Sequence, residues 1–244
     1  MVRCRHVGIG STMRIMHQQW ADYRVFWRQF RETYHSTGAV LPSGRALSAA
    51  LTRFVRDGEA FTATEVASPP PRRILEVGPG TGAVTARIIQ DMRPVDQLVL
   101  VERNEQFVDW LRRRIRESPK FQRSANHITL VHAAVEDLPE DNPFDLIISG
   151  LPLNNFAVDS VAQIFAKLRR LLTRAGTLSF FEYVAVRRAK SLVSPLADRA
   201  RLRGISQVFH NVLHGNEIRR DLVMANVPPA WVHHVRFKPQ GVSR

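Results

Sequence analysis

The chain has 244 residues, 44% of them hydrophobic, enough for one domain with a sizeable core or for a domain with an appendage. Its 35 Lys and Arg outnumber 22 Asp and Glu, and the resulting charge of +13 implies an acidic partner, either nucleic acid or an anionic membrane surface. The single cysteine, Cys4, excludes an internal disulfide framework; no Cys/His cluster has zinc spacing, and no apolar run reaches the roughly 18 residues of a membrane-spanning helix. No metal is therefore expected, and any membrane contact is peripheral. The first 20 residues lack a continuous apolar signal-peptide core, which with the lone cysteine points to a reducing, cytoplasmic setting.

Residues 1–12 are basic and without periodicity. From Met13 the pattern changes: Met16, Trp20, Tyr23, Phe26, Trp27, Phe30 and Tyr34 recur at steps of three and four, so a helix over 16–34 carries an aromatic stripe with Arg24, Arg28 and Arg31 along one edge. Such a face packs on the protein's own core or lies on a membrane surface; two tryptophans with an arginine border suit the second. Thr37–Ser43 reads as a loop, with Ser43 a candidate N-cap for a second helix through Val55. The stretch 57–72, with Asp57-Gly58 and Pro69-Pro70-Pro71, reads as a linker, dividing an N-terminal helical cap (1–56) from the main domain (57–244).

After the linker, strand and helix signals alternate. Strands over 73–77, 97–102, 128–132, 144–149 and 176–184, with helices over 81–91, 105–117 and 159–173, give the βαβ rhythm of an open parallel sheet. A basic, helical stretch to about Val208 follows, and the apolar segments 218–225 and 231–237 around Asn226-Val227-Pro228-Pro229 read as an antiparallel pair closing the sheet edge.

The chain is organised around Ile74-Leu75-Glu76-Val77-Gly78-Pro79-Gly80-Thr81-Gly82, a buried strand running into a glycine-crowded turn that opens a helix. Glycines let backbone approach a ligand, and the turn presents N–H groups and a helix N-terminus to it. Gly78-x-Gly80-x-x-Ala83 alone also satisfies the dinucleotide fingerprint, so context decides. The context is Glu76 two residues before the first glycine, a third glycine at Gly82, and a second strand ending in Glu102-Arg103, whose carboxylate can accept both hydroxyls of a ribose. This arrangement resembles the class I S-adenosylmethionine-dependent methyltransferases, which have a Rossmann-like seven-stranded α/β sheet. The resemblance implies S-adenosylmethionine as cofactor, with Gly78, Gly80 and Gly82 as its loop, Glu102 on the ribose with Arg103 beside it, and Glu76 orienting the methionine ammonium.

At the carboxyl end of the fourth strand, Ser149-Gly150-Leu151-Pro152-Leu153 makes a proline-restrained turn, in the place where open α/β sheets bind ligands. Methylating an amine is an in-line displacement that needs a neutral nitrogen lone pair near the methyl, so positioning dominates; carbonyls of Ser149, Gly150 or Leu151 can aim the amine. Together with Thr37–Ser43, Glu102-x-Asn104 and Asn226-x-Pro228-Pro229-Ala230, this turn resembles the bacterial phospholipid N-methyltransferases over roughly residues 20–237. That likeness implies methylation of phosphatidylethanolamine, or of the related ornithine-lipid amine, by a peripheral enzyme at the inner face of the membrane. In that reading Trp20, Arg24, Trp27, Arg28 and Arg31 dock on anionic lipid, Tyr34 closes over the cofactor, Tyr183 lines the amine pocket, and Arg187, with Arg188 and Lys190, binds a lipid phosphate. The family's adenine-binding acid after the third strand is Ala133 here, which leaves the backbone of Ala134 and Val135, or Glu136, for the adenine; Gly44 stands where the family often has a second serine. The rival reading is an rRNA adenine N6-methyltransferase, which shares the fold and the basic charge. Against it, Gly150-Leu151-Pro152-Leu153 carries neither the asparagine nor the aromatic that would aim and stack a flipped base, so nucleic acid is the weaker partner.

Overall fold

The computed structural model describes residues 42–56, 70–184, 196–226 and 228–238. The stretch 16–34, with Trp20, Arg24, Trp27, Arg28, Arg31 and Tyr34, lies outside the described residues, as do Arg187, Arg188, Lys190 and most of the linker.

Seven strands form one sheet: β1 (Arg73–Val77), β2 (Gln97–Glu102), β3 (Ile128–His132), β4 (Phe144–Ser149), β5 (Leu172–Tyr183), β6 (Glu217–Val223) and β7 (Ala230–Val235). Their order is β3-β2-β1-β4-β5-β7-β6, parallel from β3 to β5, with β7 antiparallel to both neighbours. The first four strands have the bounds their apolar runs predict. β5 begins earlier than its periodicity suggests, because Leu172 already pairs with Phe144 across an irregularity. The irregularity centres on Gly176, where a Cβ would lie 3.0 Å from the Phe144 carbonyl oxygen.

Helices cover both faces: α1 (Pro42–Leu51), α2 (Arg53–Arg56), α3 (Ala83–Asp91), α4 (Glu105–Glu117), α5 (Pro119–Gln122), α6 (Val158–Arg170) and α7 (Leu196–Leu213). The helix expected from Ser43 to Val55 is two helices, and it starts at Pro42, so Ser43 lies inside it rather than at its cap. A proline's fixed φ suits a first helical turn. The break falls at Thr52, whose hydroxyl donates to Asp91 at 2.9 Å and fastens the junction to α3.

The sheet has one core on each side, as the period-2 alternation of strand side chains requires. Phe180 belongs to the side covered by α6 and α7, where it meets the rings of Phe165 at 4.9 Å and Phe209 at 5.7 Å. Phe181 belongs to the other side, with Ile74, Ile88, Leu51 and Phe54. Ala50, Leu51, Phe54 and Val55, assigned from sequence to the N-terminal cap, thus share a core with the sheet. Among the described residues, no helix is long and apolar enough to cross a membrane, and no cluster of His, Cys, Asp and Glu has metal-binding geometry.

Candidate active site

The parallel register brings the carboxyl ends of β1, β2 and β4 to one edge of the sheet. Leaving β1, the chain turns through Gly78, Gly80 and Gly82 at φ of +69°, +54° and +79°, a run of left-handed residues that side chains rarely tolerate. The Gly78 N–H donates to the Val101 carbonyl at 3.0 Å, and the Gly82 N–H to Pro79 at 2.9 Å.

Glu102, the last residue of β2, is 1% exposed. Its carboxylate accepts the Gly80 N–H at 3.1 Å and the Asn104 N–H at 2.8 Å, tying the glycine turn to the start of α4, which the Asn104 side chain caps. A carboxylate offers about four acceptor positions, more than these two amides use, and such charge-assisted bonds fix its orientation.

Glu76 lies just below the turn, fully buried, with neither carboxyl oxygen in a hydrogen bond. Burial raises its pKa to about 8; the nearby Thr85, which stops short of hydrogen-bond geometry, pulls it down, and Glu102 pushes it up. A buried carboxyl without a partner is unfavourable unless something pairs with it, and a ligand cation would do so.

A cleft opens beside the turn. Val77, Gly78 and Val101 form its base, Arg103 and Ala133–Glu136 one wall, and Leu151, Phe156 and Ile164 the other. Ala133 contributes no hydrogen-bonding side chain to that wall. The carbonyls of Ala134 and Val135 already accept the N–H groups of Asp137 and Leu138 in a short 3-10 turn.

The segment after β4 is locked onto the glycine turn. The Gly150 N–H donates to Val77 at 2.8 Å, and a Cβ on Gly150 would sit 2.8 Å from the Gly78 carbonyl oxygen. A Cβ on Gly78 would in turn sit 2.6 Å from Leu151 Cδ2. Ser149 is fully buried, its hydroxyl accepting the Leu151 N–H at 3.4 Å. Of the three carbonyls read as amine acceptors, that of Leu151 is engaged by the Leu153 N–H at 2.9 Å.

The structure therefore gathers Gly78, Leu151, Arg103, Ala134 and Val135 around one cleft, with Glu76, Gly80 and Glu102 behind it. Gly82 does something further: a Cβ there would lie 3.0 Å from Leu111 Cδ2 and 3.5 Å from Phe121, so it lets α4 and α5 pack under the turn. Tyr183 ends β5 but does not line this cleft; it packs against Phe181 at 5.0 Å with its hydroxyl pKa raised by burial. Sequence reasoning did not single out Phe156 as a wall of the cleft or Arg201, whose guanidinium reaches the turn after β4 from α7. Contacts between distant segments leave no local pattern to read.

Residues 74–176, the run from β1 into β5, match the family described as a methyltransferase domain. These residues carry the class I methyltransferase fold. The residues present fit S-adenosylmethionine: an unpaired buried carboxyl for an ammonium, a carboxylate held by backbone for a diol, and an apolar cleft for a flat ring. Solved structures repeat the fold. Magnesium protoporphyrin IX methyltransferase from Synechocystis, bound to S-adenosylhomocysteine, superposes with a TM-score of 0.59 at 14% identity, covering 87% of this chain and 95% of that one. The 1,6-didemethyltoxoflavin-N1-methyltransferase of Burkholderia thailandensis gives 0.58 at 15% identity, covering 98% and 94%. A curated relative, the ornithine lipid N-methyltransferase of Singulisphaera acidiphila, is 26% identical over 114 residues. That match spans 44% of this chain and 56% of the relative, little more than half the relative's length.

Proposed function

We propose that this methyltransferase transfers methyl groups from S-adenosylmethionine to the primary amine of a membrane lipid head group, phosphatidylethanolamine first and an ornithine lipid second. The observation that carries the reading is the composition of the turn after β4: Ser149–Leu153 has no aromatic ring to stack on a flipped base and no side-chain amide to pair with it. The partial relative named for an ornithine lipid supports the same substrate class.

Bound cofactor supplies an electrophilic methyl on a sulfonium. The chain's residues do the remainder by positioning. Glu76 neutralises the methionine ammonium, Glu102 and the Gly80 amide fix the ribose, and the cleft between Ala133–Glu136 and Phe156 takes the adenine. Carbonyls of Ser149 and Gly150 accept hydrogen bonds from the incoming amine and turn its lone pair toward the methyl. Arg187 with Lys190 suits the lipid phosphate. Helix 16–34 holds the enzyme on anionic lipid at the inner membrane face, which accounts for part of the +13 charge.

The test is to incubate the protein with labelled S-adenosylmethionine and, separately, phosphatidylethanolamine vesicles, ornithine-lipid vesicles and unmodified rRNA. Label in a lipid extract is expected; label confined to rRNA would overturn the lipid reading.

A further inference from the structure

The turn after β4 is fastened at its first half by its own backbone. Leu153, Asn155 and Phe156 donate to the carbonyls of Leu151, Pro152 and Leu153 at 2.9, 3.0 and 3.2 Å, around the 3-10 turn Leu153–Asn155. The second half has another anchor. Arg201 of α7 places one nitrogen, Nη1, 2.8 Å from the Asn154 carbonyl oxygen and 3.2 Å from that of Phe156. Asn154 is 5% exposed, so its carbonyl has little water to turn to. One helical turn along α7, Gly204 faces Val158, the first residue of α6, so closely that a Cβ would lie 2.7 Å from Val158 Cγ2. The missing side chain lets α7 seat on the start of α6, and that seat puts Arg201 within reach of the turn.

We infer that Arg201 is a positioning residue for methyl transfer: from a helix outside residues 74–176 it holds the turn whose Leu151 and Phe156 wall the cofactor cleft. Leu151 and Phe156 shape the cleft, and Ser149 and Gly150 precede them on the same short span. Arg201 donates two bonds from a charged group to neutral carbonyls, each stronger than a neutral pair. Both bonds leave one nitrogen, whose two N–H groups are fixed in the guanidinium plane, whereas an ammonium rotates freely on a flexible stem. Displacement chemistry is sensitive to errors of about 1 Å in placement, so loosening this turn reaches the reaction even though Arg201 is not assigned to contact the reactants.

The inference rests on the cleft being the cofactor site, not on the lipid substrate, and its first readouts need no substrate. Arg201→Ala and Arg201→Lys are compared with wild type at a temperature where circular dichroism shows all three folded. In the Ala variant, amide hydrogen exchange across 151–156 should accelerate at least tenfold with exchange in β1 and β2 unchanged, and S-adenosylhomocysteine affinity measured by calorimetry should fall several-fold. The Lys variant should recover part of both. With whichever acceptor the wild type methylates, kcat should fall tenfold or more in the Ala variant while KM for the amine changes little; the exchange confined to 151–156, with β1 and β2 unchanged, separates this from general destabilisation. Wild-type exchange across the turn together with wild-type cofactor affinity in Arg201→Ala would overturn the inference. Failure of the wild type to label any lipid would instead count against the proposed substrate and leave the exchange result standing.

Discussion

Glu76 makes the protonation state of this site testable. Its pKa near 8 against an ordinary value of 4.5 means that at pH 7 roughly nine-tenths of the ligand-free molecules carry a proton there. Between pH 4.5 and about 8 the folded protein keeps a proton that the unfolded chain has lost, so stability falls as pH rises through that window. For this group alone the loss from pH 4.5 to pH 7 is on the order of 3 kcal/mol. A cationic ammonium beside the carboxyl reverses the preference, so cofactor binding at pH 7 should expel close to one proton. Calorimetry of S-adenosylhomocysteine binding in two buffers of different ionisation enthalpy reads that proton directly. The Glu76→Gln protein should bind at least a hundredfold more weakly, release no proton, and lose the stabilising effect of low pH when unfolded by denaturant at pH 5, 7 and 8.5. Proton-neutral binding by the wild type, or identical pH slopes in the two proteins, would refute the assignment of Glu76 to the ammonium.

Three further outcomes follow from the geometry and the sequence. Glu102→Ala removes the acceptor that holds the Gly80 and Asn104 amides and the proposed ribose ligand; at about 1.5–3 kcal/mol per charge-assisted bond, cofactor affinity should drop at least tenfold by calorimetry. Gly150→Ala drives a Cβ against the Gly78 and Val77 carbonyl oxygens, backbone that cannot yield as a side chain would, so a loss of about 1–3 kcal/mol in denaturant unfolding should accompany weaker cofactor binding. Replacing Arg24, Arg28 and Arg31 together by Ala should weaken binding to anionic vesicles by about 2–3 kcal/mol, with wild-type binding itself falling as salt is added; unchanged, salt-independent co-sedimentation would reject the docking role proposed for the segment 16–34.

The strands and the cofactor loop were legible in the sequence because both are local. A buried parallel strand is a run of apolar residues, and β1 to β4 were bounded by where such runs stop. The glycine turn was legible because left-handed φ at three positions in five demands glycine, and because Glu76 and Glu102 stand at fixed offsets from it. The boundary at Ser43 failed for a related reason: serine is a good cap by propensity, but Pro42 already starts the helix, and Thr52 breaks it through a bond to Asp91, 39 residues away.

What the sequence left unread is mostly contact between distant segments. Gly150 looked like part of an amine-aiming turn; its absent side chain is required because β4 ends against the glycine loop, a constraint the whole fold imposes whatever the acceptor. Gly82 looked like a cofactor glycine and also makes room for Leu111 and Phe121. The cofactor half of the cleft, built by β1, β2 and the loop after β3, is therefore fixed by local grammar, so the family is readable from one chain. The turn after β4 is also held by Arg201, which sits 45 residues beyond Phe156 on a helix that the methyltransferase match does not reach. A change in that helix can move Leu151 and Phe156 without altering any residue of the cofactor signature, so relatives that share the glycine loop can differ in the amine they accept.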